Sequence, residues 1–277
     1  MITFSHSGDF GDILFSMYFC NDFVENIEGK SKKFNLILTI DENKWSKHKF
    51  QAEASPITKM TIDFLKTQPY IENVVDFRTI SDFEQLRNSI IDIDLFRKCD
   101  INTSAGDIRN YYYHPWIFHG KREFWKPILF VKENDSFSDK ILLTYTFRHI
   151  NPKIDYNALK PYANNLVFIG FDSEKDFFAK KYFDLEHYKF DSFYDVASKM
   201  AGAAGLLGNP GGLYSIAECL KCKRVLLTPE LQVNNFIKKI EPGYVNVNPL
   251  GGWCDIATTT EKMVKLVENM LNKINKP

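Results

Sequence analysis

The feature that most constrains this chain is a regular alternation of short, continuously apolar runs with amphipathic ones. The runs "ITFSH" (2–6), "FNLILTI" (34–40), "NVVDF" (73–77), "IIDID" (90–94), "KILLTYTF" (140–147), "NLVFIGF" (165–171), "AGLLG" (204–208) and "KRVLLTP" (223–229) read as strands. Residues 11–26, 53–67, 81–88, 172–181, 191–202, 212–221 and 259–274 read as helices. "DSFYDVASKMAG" (191–202) shows why: an Asp-Ser cap signal precedes Phe193, Val196, Ala197 and Met200 on one helical face. Strands without polar alternation, joined by helical crossovers, belong to parallel sheets covered on both faces. The expected class is therefore α/β.

The alternation restarts after the polar stretch "VKENDSFSDK" (131–140), and 277 residues suffice for two domains. The expected division is 1–135, 136–260 and a last helix in 261–277 that returns onto the first domain, with a cleft between the two domains. Lys+Arg and Asp+Glu are equal at 35 each, which removes any bulk electrostatic case for nucleic acid or an anionic membrane. The five cysteines (Cys20, Cys99, Cys219, Cys222, Cys254) are odd in number and scattered. The pair in "CLKC" falls at a helix end and has no second pair to complete a zinc site, so structural thiols in a reducing cytoplasm are expected. The N-terminus shows no basic region followed by an apolar run, and no run approaches a membrane span, so a cytoplasmic protein is expected.

Two glycine-rich turns carry the chemistry. In parallel α/β domains ligands sit where a strand ends and its helix begins, because free backbone N–H groups and the helix dipole favour anions there. "AGLLGNPGGLYSIAECLKCKRVLLTP" reads as strand, turn and helix, with Gly208, Asn209, Gly211 and Gly212 feeding a helix N-terminus suited to a diphosphate. Glu218, seven residues beyond Gly211, is placed to accept ribose hydroxyls; the plainer alternative is a tight loop with a solvated glutamate. "SHSGDFGDILFS" (5–16) has the same layout, with Gly8-Asp9 and Gly11-Asp12 ahead of an apolar helix. "NYYYHPWIFHGKREFWKP" (110–127) divides evenly between an acceptor-binding loop and a buried aromatic cluster. "HSGDFGD" lacks the GxGxxG spacing of a dinucleotide-binding oxidoreductase, and "DKILLTY" is not followed by a P-loop.

The segment "GNPGGLYSIAECLKCKRVLLTP" resembles the donor-site segment of GT-B glycosyltransferases, and more closely that of the heptosyltransferase-like family 9. "FDSFYDVASKMAGAAGLLGN" and "NNLVFIGFDSEKDFF" are similar to the same family, so the resemblance covers most of 140–230 plus the N-terminal turn. It implies two Rossmann-like domains facing a cleft and transfer of a sugar from a nucleotide-diphosphate sugar to an acceptor hydroxyl. That acceptor would be a surface glycan of the lipopolysaccharide type or a modified DNA base. It also implies inversion at the sugar, with no cofactor and no catalytic metal. By resemblance Asp12 is the general base, with Asp9 as the alternative and helix capping as the plainer role. Gly8, Asp9 and Gly11 would border acceptor or sugar. Arg148 would bind donor phosphate, with Asn151 beside it and Lys153 as the alternative cation. The chain departs from the family in having Pro-Gly-Gly where heptosyltransferases have Asp-Ser-Gly, and in being shorter than those enzymes. A nucleotide- or glycan-binding protein without turnover is the alternative function.

Overall fold

The computed structural model describes residues 1–26, 32–39, 54–99, 108–116, 124, 126–147, 150–228 and 255–274. The first sheet contains β1 (Ile2–His6), β2 (Phe34–Leu38), β3 (Ile71–Asp76) and β4 (Ile91–Asp92), in the spatial order β3-β2-β1-β4. The second contains β5 (Ile141–Thr144), β6 (Leu166–Ile169), β7 (Glu186–Tyr188), β8 (Gly205–Gly208), β9 (Arg224–Leu227) and β10 (Asp255–Ala257), in the order β10-β9-β8-β5-β6-β7. Every pairing is parallel. Both sheets follow the doubly wound order, in which the chain starts centrally, winds outward and then crosses to the other side. Their topological switch points lie between β1 and β4 and between β5 and β8.

The helices are α1 (Phe10–Glu25), α2 (Ala54–Leu65), α3 (Phe83–Leu86), α4 (Ile108–Tyr113), α5 (Asp172–Lys181), α6 (Phe193–Gly202), α7 (Gly212–Leu220) and α8 (Thr260–Ile274). Helix α1 buries every residue from Ile13 to Cys20, and α7 every residue from Leu213 to Cys219. Helices apolar all round must be covered all round. The two pack on each other, α4 adds to α1, and α6 adds to α7. One apolar core consequently joins the sheets, uniting Phe4 and Leu36 of the first with Leu142 and Leu206 of the second. A separate core lies on the outer face of the second sheet, formed by Ile141, Leu143, Phe178, Met263 and Val267.

The described part of the last helix packs on the second sheet. Met263, Val267 and Met270 of α8 close that outer core, with Met270 against Gly205 of β8. The expected strand at 90–94 is cut short because the Asp92 side chain accepts the Asp94 amide and turns the chain into a 3-10 segment, Ile93–Lys98. Only Phe83–Leu86 of the expected helix 81–88 is α-helical. Strands β7 and β10 were not legible as apolar runs. In the aromatic stretch, Tyr112, Tyr113 and Phe124 are buried against Tyr18, Phe19 and Phe96, so its described part is an aromatic cluster. Lys121, Arg122 and Cys254 lie outside the described residues.

Candidate functional site

Both glycine turns emerge at switch points, and they meet. A Cβ added to Gly11 would lie 2.6 Å from Ser215 Oγ of α7, and one on Gly212 would lie 3.1 Å from the Phe10 ring. Phe10 also stacks on Phe193, the first residue of α6, at 4.0 Å. The N-terminal ends of α1, α6 and α7 thus converge. Neither Asp9 at the head of α1 nor Gly211 at the head of α7 supplies a side-chain cap. Helix N-termini that converge in this way favour an anion through their first-turn N–H groups and dipoles. The glycines serve this approach of protein to protein: Gly208 and Gly211 are likewise filled by Thr144 and Thr146.

Asp12 lies in the first turn of α1. Its carboxylate does not cap the helix. Oδ2 accepts from Arg97 Nη2 at 3.0 Å, and the side chain keeps 28 % of its surface exposed, enough to reach solvent. Burial raises its carboxyl above the ordinary range, while His6 and Arg97 pull it back. Asp9, one turn of chain earlier, is also partly exposed.

The surroundings of Asp12 come from the other strand at the switch point. Asp94, just past β4, accepts from Arg97 Nε at 2.9 Å through Oδ1 and from the Ser7 amide at 2.5 Å through Oδ2. Burial raises the Asp94 carboxyl, but His6, the Arg97 hydrogen bond and the Ser7 amide together hold it below its ordinary value. His6, at the end of β1, is fully buried, and its Nδ1 accepts the Gly8 amide at 2.8 Å. That bond leaves the proton of the neutral ring on Nε2, and burial lowers the pKa despite nearby Asp94 and Asp12. A Cβ on Gly8 would strike His6 Cε1 at 2.5 Å and Asp12 Cβ at 3.0 Å, so only glycine lets ring and carboxylate flank the turn. Tyr112 Oη donates to the Asp12 carbonyl at 2.9 Å.

The second turn corrects the expected roles of its side chains. Glu218 does not face a ligand. Its side chain is fully buried; Oε1 accepts from Arg109 at 3.2 Å and Lys221 at 2.5 Å, and Oε2 from Arg224 Nε at 2.8 Å. Asn209 bonds the exit of β5, accepting from the Thr146 amide at 2.8 Å and donating to the Thr146 carbonyl at 2.9 Å. Asn151 donates to the carbonyls of Thr228 and Thr258 and accepts the Lys153 amide, so its side chain ties together the ends of β9 and β10. The Ser215 hydroxyl is likewise committed to the protein, donating to the Gly211 carbonyl at 3.1 Å. Arg148 lies outside the described residues. Cys219 is buried and Cys222 half-buried, both as thiols; burial pushes each up to about 12, which makes them inert. Among the described residues no group of three His, Cys, Asp or Glu is arranged to hold a metal, and no helix is long and apolar enough to cross a membrane.

The reading from sequence missed His6, Asp94, Arg97, Arg109 and Tyr112. The signal for two of them was present: Asp94 and Arg97 stand three apart directly after a short apolar strand, where a parallel strand delivers its residues to the site.

No family model matches the chain, and no curated protein matches it in sequence. Among solved structures it is similar to the glycosyl transferase family 9 from Veillonella parvula DSM 2008 (TM-score 0.62, 10% identity, 98% of this chain and 97% of that one). It is also similar to E. coli heptosyltransferase WaaC with ADP (TM-score 0.57, 11% identity, 99% of each chain). E. coli ADP-heptose lps heptosyltransferase II gives TM-score 0.58 at 10% identity over 100% of both chains. At these identities the likeness is one of fold: two parallel α/β sheets in the GT-B arrangement.

Proposed function

We propose that this protein is a glycosyltransferase that moves a sugar from a nucleotide-diphosphate sugar to an acceptor hydroxyl, with Asp12 as general base. One observation carries the reading: the turn holding a solvent-reaching carboxylate, Asp12, packs directly on the N-terminal end of α7, where first-turn backbone N–H groups suit a diphosphate. The fold shared with structures of heptosyltransferases, one of them holding ADP, supports it. In the reaction the acceptor oxygen attacks the anomeric carbon, the bond from that carbon to the diphosphate oxygen breaks, and the leaving diphosphate takes the electron pair. Asp12 accepts the hydroxyl proton, and the α7 N-terminus stabilises the charge that develops on the leaving group. A carboxyl raised by burial suits a base better than a fully solvated one does.

The donor half is tested by thermal unfolding of the purified protein with ADP, UDP, GDP, CDP, NAD and NADP. A nucleoside diphosphate at 100 times its Kd adds about 2.7 kcal/mol, visible as a raised midpoint. Stabilisation by one nucleoside diphosphate supports the proposal, and stabilisation by NAD or NADP alone overturns it. Donor binding with no release of nucleoside diphosphate from the matching nucleotide sugar would favour the binding protein without turnover.

A further inference from the structure

Asp12 does not act alone in its turn. Arg97 Nη2 meets its Oδ2 at 3.0 Å, and Arg97 Nε meets Asp94 Oδ1 at 2.9 Å, so a single guanidinium spans two carboxylates. Asp94 is itself fixed, because its other oxygen takes the Ser7 amide in the turn that leads to Asp12. The chain Ser7–Asp94–Arg97–Asp12 therefore closes a ring across the switch point between β1 and β4. The forked, planar guanidinium can bridge two carboxylates in a fixed relative orientation, which a lysine ammonium cannot. The Phe96 ring lies beneath it, with the guanidinium carbon 4.7 Å from the ring centroid.

We propose, resting on the assignment of Asp12 as base, that Arg97 is a positioning residue anchored by Asp94: it fixes the Asp12 carboxylate and holds it ionised against burial. Without a cation, partial burial and the neighbouring acidic groups would shift this carboxyl toward its protonated form, which cannot act as a base. The groups facing Asp12 are His6 from β1, Asp9 from its own turn, Arg97 and Asp94 from the Ile93–Lys98 segment, and Tyr112 from α4. Burial and the bond from Gly8 disfavour the protonated His6 ring, and the two aspartates add negative charge. Arg97 is the permanent positive charge in this set. Because 40 % of its side chain is exposed, its charge can be removed without opening a cavity in the core.

The test follows the Asp12 carboxyl itself. In protein labelled at the aspartate side-chain carboxyl carbon, 13C NMR gives a titration for each aspartate, and the signal missing from Asp12→Asn is that of Asp12. Arg97→Met and Arg97→Gln should each raise the Asp12 midpoint by about one pH unit, since an opposite charge at this distance lowers a carboxyl by about 1–3 units. Arg97→Lys should fall between them and the wild type. The acid limb of nucleoside diphosphate release should move by the same amount in the same variants. In the unaltered protein, raising salt from about 0.05 to about 0.5 M should also lift the midpoint, because a partly exposed pair is screened. That measurement stands even if a variant fails to fold. An Asp12 midpoint unmoved by both neutral variants, or in the unaltered protein by salt, overturns the proposal. If instead the midpoint shifts while Asp12→Asn keeps full turnover, Arg97 positions Asp12 as described and the assignment of Asp12 as base is what fails.

Discussion

Asp12 and Glu218 occupy comparable places and have opposite characters. Each follows a glycine turn at a switch point and sits on a helix that is buried nearly all round. Asp12 meets one exposed arginine and reaches solvent; Glu218 is sealed inside among Arg109, Lys221 and Arg224. Arg109 belongs to α4, on the side of the first sheet, so Glu218 links the two halves of the molecule. A carboxylate with its oxygens committed to several cations serves the fold. One that keeps an open side and a raised pKa can take a proton from something else.

The contrast is broken most forcefully at Glu218. Glu218→Ala leaves Arg109 and Arg224 buried beside a missing partner and should cost about 3–5 kcal/mol in denaturant unfolding. A loss below about 1 kcal/mol, with loss of nucleotide binding instead, would restore the ribose role. Glu174 supplies a third case. It is buried, accepts the Phe171 amide at 3.0 Å, and burial pushes it up to about 7. Because the folded protein holds this proton more tightly than the unfolded chain does, stability should fall as pH rises from about 4.5 to about 7, by about 3 kcal/mol. Glu174→Gln should flatten that segment of the stability curve.

Smaller effects sharpen the meeting of the turns. Gly11→Ala pushes a methyl against Ser215 Oγ and should cost about 1 kcal/mol, recovered in the double variant with Ser215→Ala. Additive losses would mean that the turns do not touch in solution. Smallest of all is the stability effect of Asp12→Asn, expected within about 0.5 kcal/mol because the carboxylate is partly exposed and its ion pair with Arg97 is partly solvated.

Most of the fold was legible because most of the strands are short, unbroken apolar runs joined by stretches with helical spacing. Helix α6 is the clearest case: Ser192 accepts the Asp195 amide, and Phe193, Val196, Ala197 and Met200 are buried as their spacing requires. Strands β7 ("EHY") and β10 ("DIA") escaped because three residues with little apolar content give no period to read. Glu218 was misread for a different reason. Helix α7 is covered by α1 on one side and α6 on another, so its sequence has no polar face to say which residues meet solvent. The basic residues that follow it, Lys221 and Arg224, were the available hint. Asp94 was hidden at the end of the expected strand 90–94 and Arg97 lay in the unassigned residues after it; the turn begun by Asp92 brings them together.

The most direct measurement is nucleoside diphosphate release from the stabilising nucleotide sugar, compared between the wild type and Asp12→Asn at equal folded concentration. A positioned base is worth about 10²–10⁴ in rate, so Asp12→Asn should fall by at least about a hundredfold while its unfolding midpoint stays near that of the wild type. Turnover within a few-fold of wild type would remove Asp12 from the reaction and contradict the assignment on which the proposed chemistry rests.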